Sequence, residues 1–486
     1  MKHYPVAIVG AGPAGLTAAY ELVKQGIVPV VLEKGDKVGG LARTESYKGY
    51  RFDIGGHRFY TKVAAVQQLW QEVLGNEFIK VPRLSRIFYR GKFFNYPIGA
   101  FNTLFNLGII ESALIIVSYL RVRLWPLPKE ETFEQWVINR FGDRLYKTFF
   151  KTYTEKVWGI PCSEIQADWA AQRIKGLSLT TAIINALFGS NDTKTLIKEF
   201  DYPALGPGMM WEKFAEAVED KDGKVYLDTK VISFEREGNK IKSITAEHNG
   251  ELVEYSADNF ITSMPISALV ARMKPQPPEP VLHAARSLKY RDFLIVSLIV
   301  DRPSLFPDNW IYIHSPEVKV GRIQNFKNWS AALVPDASKT CLGMEYFCNE
   351  GEELWQMSDA ELVELATREL AELGLAKMAD VKDGVVLRQP KAYPVYDAEY
   401  RGHLRVLEGF LTGMENLQTI GRNGMHRYNN QDHSMLTGML AVRNLLGEKH
   451  DLWDVNTERS YYEDFSVDRS KEKSEASLIA QSSGYL

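Results

Sequence analysis

Cysteine is scarce in this chain of 486 residues, which has only Cys162, Cys341 and Cys348. An odd and sparse set argues against a disulfide framework and fits a reducing compartment. The sequence contains no Cys-x-x-Cys or His-x-x-x-His pair, so it predicts no metal site.

An excess of charge of one sign is also missing. The formal net charge is −3 and the isoelectric point is near 6.4. Without a basic field the chain is not expected to bind nucleic acid as its main role, and a small-molecule substrate is the expected partner. The hydrophobic content of 45% is ordinary for a globular protein. The length predicts two or three domains.

The chain lacks the run of about 20 apolar residues that a membrane-spanning helix needs. Residues 93–120 are strongly apolar, but polar residues interrupt them at Asn95, Asn102, Asn106 and Glu111. Two interpretations are open: a pair of core helices, or a helix in a membrane interface with Arg121 and Arg123 at its edge. The second gives a peripheral membrane contact through residues 93–123. The N-terminus shows no signal-peptide pattern, which predicts a cytoplasmic protein, peripheral to a membrane under the second interpretation.

Hydrophobic periodicity predicts a strand at residues 4–9, a helix at 13–25 and a strand at 28–32, which together form a βαβ unit. Residues 64–200 look mostly helical, and short strands alternate between 224 and 261. A second strand-rich stretch covers 293–346, and an amphipathic helix with an acidic face covers 357–373. A strand at 417–420 and a helix at 434–446 precede a polar tail at 456–486.

A glycine-rich turn, GAGPAG at residues 10–15, joins the first predicted strand to the first helix. Gly10 allows the tight turn, Gly12 lets the backbone approach a pyrophosphate, and Gly15 lets helix and strand pack closely. The helix N-terminus favours negative phosphates. Glu33 ends the second strand at the usual offset of about 20 residues and accepts a ribose hydroxyl. This context predicts a dinucleotide site.

A second glycine pair, Gly39 and Gly40, opens the segment GGLAR at residues 39–43. A glycine pair followed by an arginine resembles the extended FAD signature of glutathione-reductase-like flavoproteins. The pair lets the chain cross close to an extended cofactor, and Arg43 can reach phosphate. The predicted cofactor is therefore non-covalent FAD rather than NAD.

Further blocks are FDIGGHRF at residues 52–59, YTEKVWG at 153–159, YPVYD at 393–397, GR at 421–422 and RYNNQD at 427–432. Together these blocks resemble the UDP-galactopyranose mutases. They also place the chain in the wider superfamily of FAD-dependent amine oxidases and protoporphyrinogen oxidases. The resemblance covers nearly the whole chain.

The resemblance implies roles by position. His57 lies beside the flavin ring, Arg322 clamps the substrate diphosphate, and Tyr346 and Tyr428 bind phosphate, so these are the candidate catalytic residues. The candidate substrate-binding residues, which line the nucleotide-sugar cleft, are Tyr153, Trp158 and Tyr393. The candidate FAD contacts are Gly10, Gly12, Pro13, Ala14, Gly15, Glu33, Lys34, Gly39, Gly40, Leu41, Ala42, Arg43, Gly55, Gly56, His57, Val231, Gly421, Arg422, Asn430 and Asp432.

The chain departs from the mutase pattern in two places. Asn430 stands where the mutases usually carry an aspartate, and the stretch after Arg173 lacks a second arginine that would help bind the diphosphate. The chain is also longer than the bacterial mutases. A different nucleotide sugar, a lipid-linked sugar, or no sugar at all fits these departures.

Two chemistries stay open on this scaffold. In the first, the flavin N5 acts as a covalent catalyst on a nucleotide sugar, or a lipid-linked sugar, and interconverts pyranose and furanose rings without net electron transfer. In the second, the flavin oxidises an amine or an apolar substrate, as in amine oxidases and desaturases, and residues 93–120 form a channel or membrane contact. A flavin-binding protein with a structural role is a third alternative.

The predicted fold class is α/β, with a Rossmann-like FAD domain of the glutathione-reductase type. Residues 1–62, 200–265 and 405–450 are assigned to this domain. Residues 63–199 and 266–404 are assigned to an inserted substrate domain made of helices and an antiparallel sheet. The active site is expected between the two, because ligand clefts favour domain interfaces.

Overall fold

The structure, a computed structural model, describes residues 2–96, 100–167 and 197–456. Two large β-sheets form its frame, and separate hydrophobic cores pack on them. The tail predicted for residues 456–486 lies outside the described residues from 457 onward, and so does the stretch after Arg173.

The first sheet has a parallel centre. With all strands numbered along the chain, it contains β1 (Lys2–Val9), β2 (Pro29–Leu32), β9 (Lys224–Tyr226), β10 (Thr229–Glu237), β11 (Lys240–His248), β12 (Glu251–Thr262), β13 (Met273–Lys274) and β19 (Leu417–Thr419). Strands β9, β2, β1, β12 and β19 run parallel in that order. The first half of β12 instead pairs with β11, and β10, β11 and β12 form an antiparallel meander.

The predicted βαβ unit consists of β1, the helix α1 (Pro13–Lys24) and β2. Every residue of β2 and the last four residues of β1 are buried. Continuous apolar burial is typical of parallel strands that are covered on both faces. The unit confirms the predicted Rossmann-like α/β fold.

Helices cover both faces of the first sheet. They are α1, Ala64–Leu74, Gly208–Glu219, Ile266–Ala271, Glu279–Ser287, Tyr400–Thr412 and Gln431–Leu445. Two of the predicted domain boundaries are therefore misplaced. Residues 64–74 and 266–288 were assigned to the substrate domain, yet Trp70, Leu269, Met273 and Leu282 pack in the first core. Their apolar stripes face the first sheet, and the sequence alone does not show which sheet a stripe will meet.

The second sheet is mostly antiparallel. Its order is β18 (Val381–Pro394), β14 (Tyr290–Val300), β17 (Thr340–Cys348), β16 (Arg322–Asn325), β15 (Trp310–Ile313), β6 (Ser85–Tyr89) and β7 (Lys92–Asn95). The amphipathic helix Asp359–Glu372 packs on one face, and Ser358 caps it in a capping box with Glu361. The opposite face meets the loops that leave β4 (Tyr50–Asp53).

Two small sheets and several short helices complete the frame. The small sheets pair β3 (Thr44–Tyr47) with β4, and β5 (Phe78–Pro82) with β8 (Glu199–Pro203). The remaining short helices are Phe326–Trp329 and Glu353–Gln356. The expectation that residues 64–200 are mostly helical misses β5, β6 and β7, whose aromatic and β-branched residues suit a pleated sheet.

A helical layer packs beside β6 and β7. Its helices are Ala100–Leu107, Ile109–Leu124, Phe133–Phe141, Asp143–Tyr146 and Thr152–Trp158. A π-helical turn, Lys147–Lys151, joins the last two into one rod. The expected pair of core helices is present at residues 100–124, but it is buried on one side only, since Ile109, Ile110 and Val117 are exposed. No helix among the described residues is long and apolar enough to cross a membrane.

Candidate active site

The first glycine turn packs without room for side chains. Gly10 has a φ of +102°, and a Cβ atom on it would lie 2.3 Å from the Ser263 Oγ. A Cβ on Gly15 would lie 1.9 Å from the Gly10 carbonyl oxygen. These two glycines hold α1 close to β1, as the fingerprint predicts.

Gly12, by contrast, has no close neighbour at the position where a side chain would begin. It is the N-cap of α1, no side chain caps the helix, and the first turn has no acidic residue. Its nearest neighbour is the second glycine loop, where a Cβ on Gly40 would lie 3.2 Å from the Gly12 Cα. The first amides of α1, Pro13 aside, are therefore free to bind an anion, and the helix dipole favours a phosphate there.

Glu33 connects three parts of the region around the first glycine turn and the N-terminus of α1, which we call the cradle. Its carboxylate accepts hydrogen bonds from the amides of Ala11 (2.8 Å) and Gly35 (2.9 Å). The Thr229 amide donates to the Glu33 carbonyl oxygen, and Val231 follows in the same strand. A carboxylate has about four acceptor positions, so a ribose hydroxyl can still bind it.

Arg43 has three protein partners, which its Nε and Nη1 atoms contact. Its Nε donates to Glu45, and its Nη1 donates to the Gly40 carbonyl oxygen (2.9 Å) and to the Gln389 side chain (3.0 Å). Gln389 belongs to the second sheet, so Arg43 ties the second glycine loop to that sheet. Its predicted phosphate contact stays a prediction. In the same loop Leu41 and Ala42 form a short turn, and Lys34 is exposed.

The late Gly421-Arg422 pair completes the cradle. Gly421 has a φ of +80°, and a Cβ on it would lie 3.1 Å from the Cβ of Ala14 at the start of α1. The Thr437 hydroxyl accepts a hydrogen bond from the Gly421 amide. Segments around residues 10–15, 39–43 and 421–422, which are far apart in the chain, thus meet at one helix end. A narrow cradle of bare amides fits an extended dinucleotide cofactor.

Asn430 and Asp432 lie at the beginning of the helix Gln431–Leu445. Asn430 is its N-cap, and the Asn430 amide donates to the His433 ring. The buried Asp432 carboxylate accepts a hydrogen bond from the Thr61 hydroxyl (3.0 Å). Both residues stabilise the helix end that packs on α1, and their predicted contact with FAD stays a prediction.

The second half of the site lies on the face of the second sheet that is turned towards the cradle. Tyr312, Arg322 and Glu345 are direct neighbours on β15, β16 and β17. Residues at matching positions of adjacent strands share one face, so these side chains meet. Glu345 is fully buried, pairs with the Arg322 Nε, and accepts a hydrogen bond from the Gln324 Nε2 (2.9 Å).

We call the space between this face of the second sheet and the cradle the chamber. Its main polar feature is the edge of the Arg322 guanidinium that points away from Glu345. Burial disfavours its charge, but Glu345 and the tyrosines 393, 153 and 312 raise the pKa of Arg322 well above its usual range. The Arg322 side chain is 19% exposed. Its two Nη atoms donate to no acceptor among the described residues. Those donors are available to an anionic ligand.

Aromatic rings surround Arg322. The Tyr153 ring stacks on His314 with 4.8 Å between ring centroids and meets Tyr312 edge-on at 5.5 Å. The Tyr393 ring stacks on Tyr428 at 5.6 Å, and Trp158 lies 6.3 Å from each.

Arg422 closes the aromatic group from the cradle side. Its guanidinium lies 4.7 Å from the Tyr428 ring centroid and 5.6 Å from that of Tyr393. No carboxylate pairs with Arg422 in the described part of the chain. The predicted residues Tyr153, Trp158, Arg322, Tyr393, Arg422 and Tyr428 are thus brought together.

His57 follows Gly55 and Gly56 in the loop after β4. A Cβ on Gly55 would lie 3.6 Å from the Arg322 Nη2 and 3.9 Å from the Glu345 Oε1, so the loop runs over the ion pair. Burial, followed by Arg422 and Arg322, lowers the pKa of His57 to about 3. The ring is therefore neutral at pH 7. Its buried Nδ1 makes no hydrogen bond within the described residues, which fits contact with a ligand.

Tyr346 is not brought to the site. It follows Glu345 in β17, and successive strand residues point to opposite faces. Its ring is fully buried in the core under the helix Asp359–Glu372, where the hydroxyl donates to Glu369 (3.1 Å). The predicted role in binding phosphate is therefore corrected to a structural one.

The sequence patterns did not indicate four residues of the site, which are Glu345, Gln324, Tyr312 and His314. Glu345 had a signal: it is the one charged residue in the otherwise apolar run TCLGMEYFC at residues 340–348. A charge in a buried strand needs a partner. The other three had none, because their position depends on how the strands pair.

The sequence profile of the family described as flavin containing amine oxidoreductase matches residues 13–421. A probable UDP-galactopyranose mutase from Klebsiella pneumoniae is 28% identical over 178 residues, which cover 34% of this chain and 44% of that protein. The alignments with the first curated relatives span about half of those proteins' length.

Solved structures give the same fold. A crystal structure of reduced UDP-galactopyranose mutase matches with a TM-score of 0.82 and 21% identity, over 93% of this chain and 96% of that one. A putative protoporphyrinogen oxidase from Exiguobacterium matches with a TM-score of 0.69 and 17% identity, over 91% of this chain and 98% of that one. With the profile match over most of its length, the chain belongs to the flavin-containing amine oxidoreductase family and is an FAD-dependent enzyme.

Proposed function

We propose that the protein is a mutase-like isomerase that acts on a sugar carrying a diphosphate, either a nucleotide sugar or a lipid-linked sugar. The observation that carries the proposal is the position of Arg322. Glu345 pairs with its Nε atom, tyrosines surround it, and the edge with its two Nη atoms points away from Glu345. Such an edge matches the geometry of a phosphate group. The structural similarity to a UDP-galactopyranose mutase supports it.

The chain's residues take roles that follow from their positions. Arg322 holds the diphosphate and stabilises the negative charge that grows on it when it leaves the sugar. The hydroxyls of Tyr153 and Tyr393 add neutral donors beside it. The Tyr428 hydroxyl is a third such donor to phosphate, Trp158 excludes water, and the neutral His57 offers one hydrogen bond at the cradle side. FAD, when bound in the cradle, supplies the electron-rich ring on which the chemistry depends.

The second candidate is an oxidoreductase acting on an amine or apolar substrate. The parallel Tyr393–Tyr428 rings favour it, because aromatic faces attract cationic amines. Arg422 already lies over both rings, however, and a second cation beside it would be repelled. The alternative therefore fits an apolar substrate better than an amine.

Isomerisation and oxidation differ in their electron balance. We expect protein reduced with dithionite under anaerobic conditions to convert a diphosphate sugar into its ring isomer, with no net consumption of reductant. Chromatography of a panel of nucleotide sugars, and of polyprenyl-diphosphate sugars, measures the isomer. The oxidised protein incubated with the same panel is the control and should be inactive. Bleaching of the oxidised flavin by an amine or apolar compound, with oxygen uptake and no isomer, would refute the proposal.

A further inference from the structure

Exposed apolar side chains are concentrated in one part of the helical layer. Ten of the fifteen large apolar side chains that are exposed among the described residues lie between 105 and 127. They are Phe105, Ile109, Ile110, Leu114, Ile116, Val117, Leu120, Leu124, Trp125 and Leu127. Clustered exposed apolar surface of this kind marks an interaction site more often than scattered single residues do.

The helix Ile109–Leu124 is apolar on both sides. Its inner side buries Ser112, Ile115, Tyr119 and Val122 against the rest of the layer. Its outer side carries Ile110, Leu114, Val117 and Leu124, which follow the spacing of one helix stripe. Val117 is 62% exposed and Leu124 is 69% exposed. We call this outer stripe, together with Ile109 and Trp125, the apolar helix face.

Positive charge lies at both ends of the apolar helix face. Glu111 is the only acidic residue between positions 100 and 128. It forms a bidentate ion pair with Arg144, in which Nε and Nη2 each lie 2.7 Å from a carboxylate oxygen. Arg90, in the hairpin next to the beginning of the helix, is close enough to lower the pKa of Glu111 further, after Arg144. At the other end Arg121 and Arg123 are exposed, and Trp125 follows at 73% exposure.

We propose that the apolar helix face binds the surface of an anionic phospholipid bilayer. The helix has 16 residues and lies in the plane of the interface. At 1.5 Å per residue it is about 24 Å long, shorter than the roughly 30 Å hydrocarbon core. Its apolar side chains enter the acyl region, the arginines meet the lipid phosphates, and Trp125 lies at the headgroup level. Charge complementarity selects this occupant over an uncharged apolar partner.

The location of the face adds a functional link. A Cβ on Gly142 would lie 2.9 Å from the Tyr119 amide, so the helix packs tightly on the rod that starts at Asp143. That rod continues through the π-helical turn to Tyr153 and Trp158. A bilayer on the outer side would thus lie beside the layer that carries part of the aromatic wall of the site.

The test uses the FAD-loaded full chain and vesicles of phosphatidylcholine alone or in equal parts with phosphatidylglycerol. We expect co-sedimentation with the anionic vesicles, weakened by high salt. The double substitution Val117→Gln with Leu124→Gln should lower the partition coefficient about a hundredfold, roughly tenfold per side chain withdrawn from the apolar phase. Arg121→Gln with Arg123→Gln should lower it about 25-fold on anionic vesicles, about fivefold per arginine.

Leu252→Gln is the matched control, since Leu252 is 68% exposed but lies in the first sheet. It should bind vesicles like the wild type, and all variants should keep their flavin absorbance. Equal vesicle binding by the wild type and the Val117/Leu124 variant would overturn the proposal. So would wild-type self-association, measured by light scattering without lipid and abolished by the variant, because the occupant would then be a second copy. A large drop in melting temperature of the variant would also overturn it, since the face would be covered within the chain.

Discussion

At the scale of single residues, the site depends on how Arg322 divides its donors. Nε is engaged by a carboxylate that is fully buried, and neither Nη atom donates to an acceptor in the part of the chain that the structure describes. The carboxylate fixes the plane of the guanidinium, so little side-chain entropy is lost when an anion binds. A lysine at this position would keep the charge but would lose the fork.

Arg322→Ala is expected to weaken UDP binding by about 1.5–3 kcal/mol, the usual worth of a hydrogen bond to a charged group. Titration of the flavin absorbance with UDP measures the change. FAD content should be unaffected, because Arg322 lies outside the cradle. Arg302→Ala, which removes an ion pair with Asp380 just beyond the end of β14, is the control. Identical UDP affinity in the wild type and Arg322→Ala would contradict the assigned role.

The two faces of β17 give a second comparison. Tyr346→Phe should leave UDP affinity unchanged and lower the free energy of unfolding by about 1 kcal/mol, because it removes one hydrogen bond to Glu369. Tyr393→Phe should do the reverse and weaken UDP binding several-fold with little loss of stability. Flavin titration and thermal unfolding of both variants provide the measurements. A loss of UDP affinity in Tyr346→Phe would restore the original prediction for that residue.

At the scale of elements, two glycines of the same motif are needed for different reasons. A Cβ on Gly12 would lie 3.8 Å from the Gly40 Cα, an ordinary contact, whereas a Cβ on Gly15 would overlap the Gly10 carbonyl. The structure has room for a Cβ atom at Gly12, so the glycine there is explained by the pyrophosphate that we expect to bind at this helix end. At Gly15 the fold itself forbids a Cβ atom.

Gly12→Val should therefore purify without FAD and remain folded, with far-ultraviolet circular dichroism like that of the wild-type apoprotein. Gly15→Ala should lower the free energy of unfolding by about 1–3 kcal/mol, the usual cost of overpacking. Absorbance of the purified proteins and urea unfolding distinguish the two variants. A yellow Gly12→Val protein with normal FAD content would show that the cradle lies elsewhere.

Elements with a local signal are well predicted from the sequence. The strand expected at residues 4–9 is Lys2–Val9, and the helix expected at 357–373 is Asp359–Glu372, where Ser358 and Glu361 mark the beginning. Three strands between residues 78 and 95 were missed. β5 pairs with β8, and the hairpin of β6 and β7 pairs with β15, so all three depend on strands that lie far along the chain.

In the site, too, residues with a local sequence signal could be predicted, and residues that depend on strand pairing could not. The glycine cradle could be predicted, because each of its three segments is contiguous in the chain and the spacing of residues within the segment carries the geometry. The Arg322–Glu345 pair could not, since it depends on the register of β16 against β17. A shift of one residue in that register would have placed Tyr346 in the site instead.

At the scale of the whole molecule, buried ionisable groups control the response to acid. Burial lowers the pKa of His57 and His314 to about 3 and that of His426 to about 4. The unfolded chain binds protons at these sites from about pH 6.5 downward, while the folded chain does not, so acid destabilises the fold. Asp53 acts in the opposite direction, because burial raises its pKa to about 7. Its contribution grows as the pH falls from 7 towards 4.

Glu345 and Glu369, whose pKa values burial raises, act in the same direction as Asp53 and offset part of the effect of the histidines. We expect the melting temperature of the FAD-loaded protein to fall between roughly pH 6 and 4.5, by less than the three histidines alone would cause. His426→Asn should reduce the fall in melting temperature with acid by about the contribution of one histidine. Asparagine tolerates the positive φ of +45° at this position. His3→Asn, at an exposed histidine, should leave the profile unchanged. A melting temperature that is constant or rises from pH 6.5 to 4.5 would contradict this assignment.

The π-helical turn Lys147–Lys151 sets the rotational position of the helix Thr152–Trp158, which continues the same rod. A π-turn holds about one residue more than an α-turn, and one residue corresponds to about 100° of helix rotation. Tyr153 and Trp158 face the chamber because of that extra residue. A lineage that lost it would keep the rod, the packing of its first half and the whole cradle, yet it would present a different pair of side chains to the ligand. If Tyr153 and Trp158 contact the substrate as proposed, a single deletion in this turn changes substrate choice.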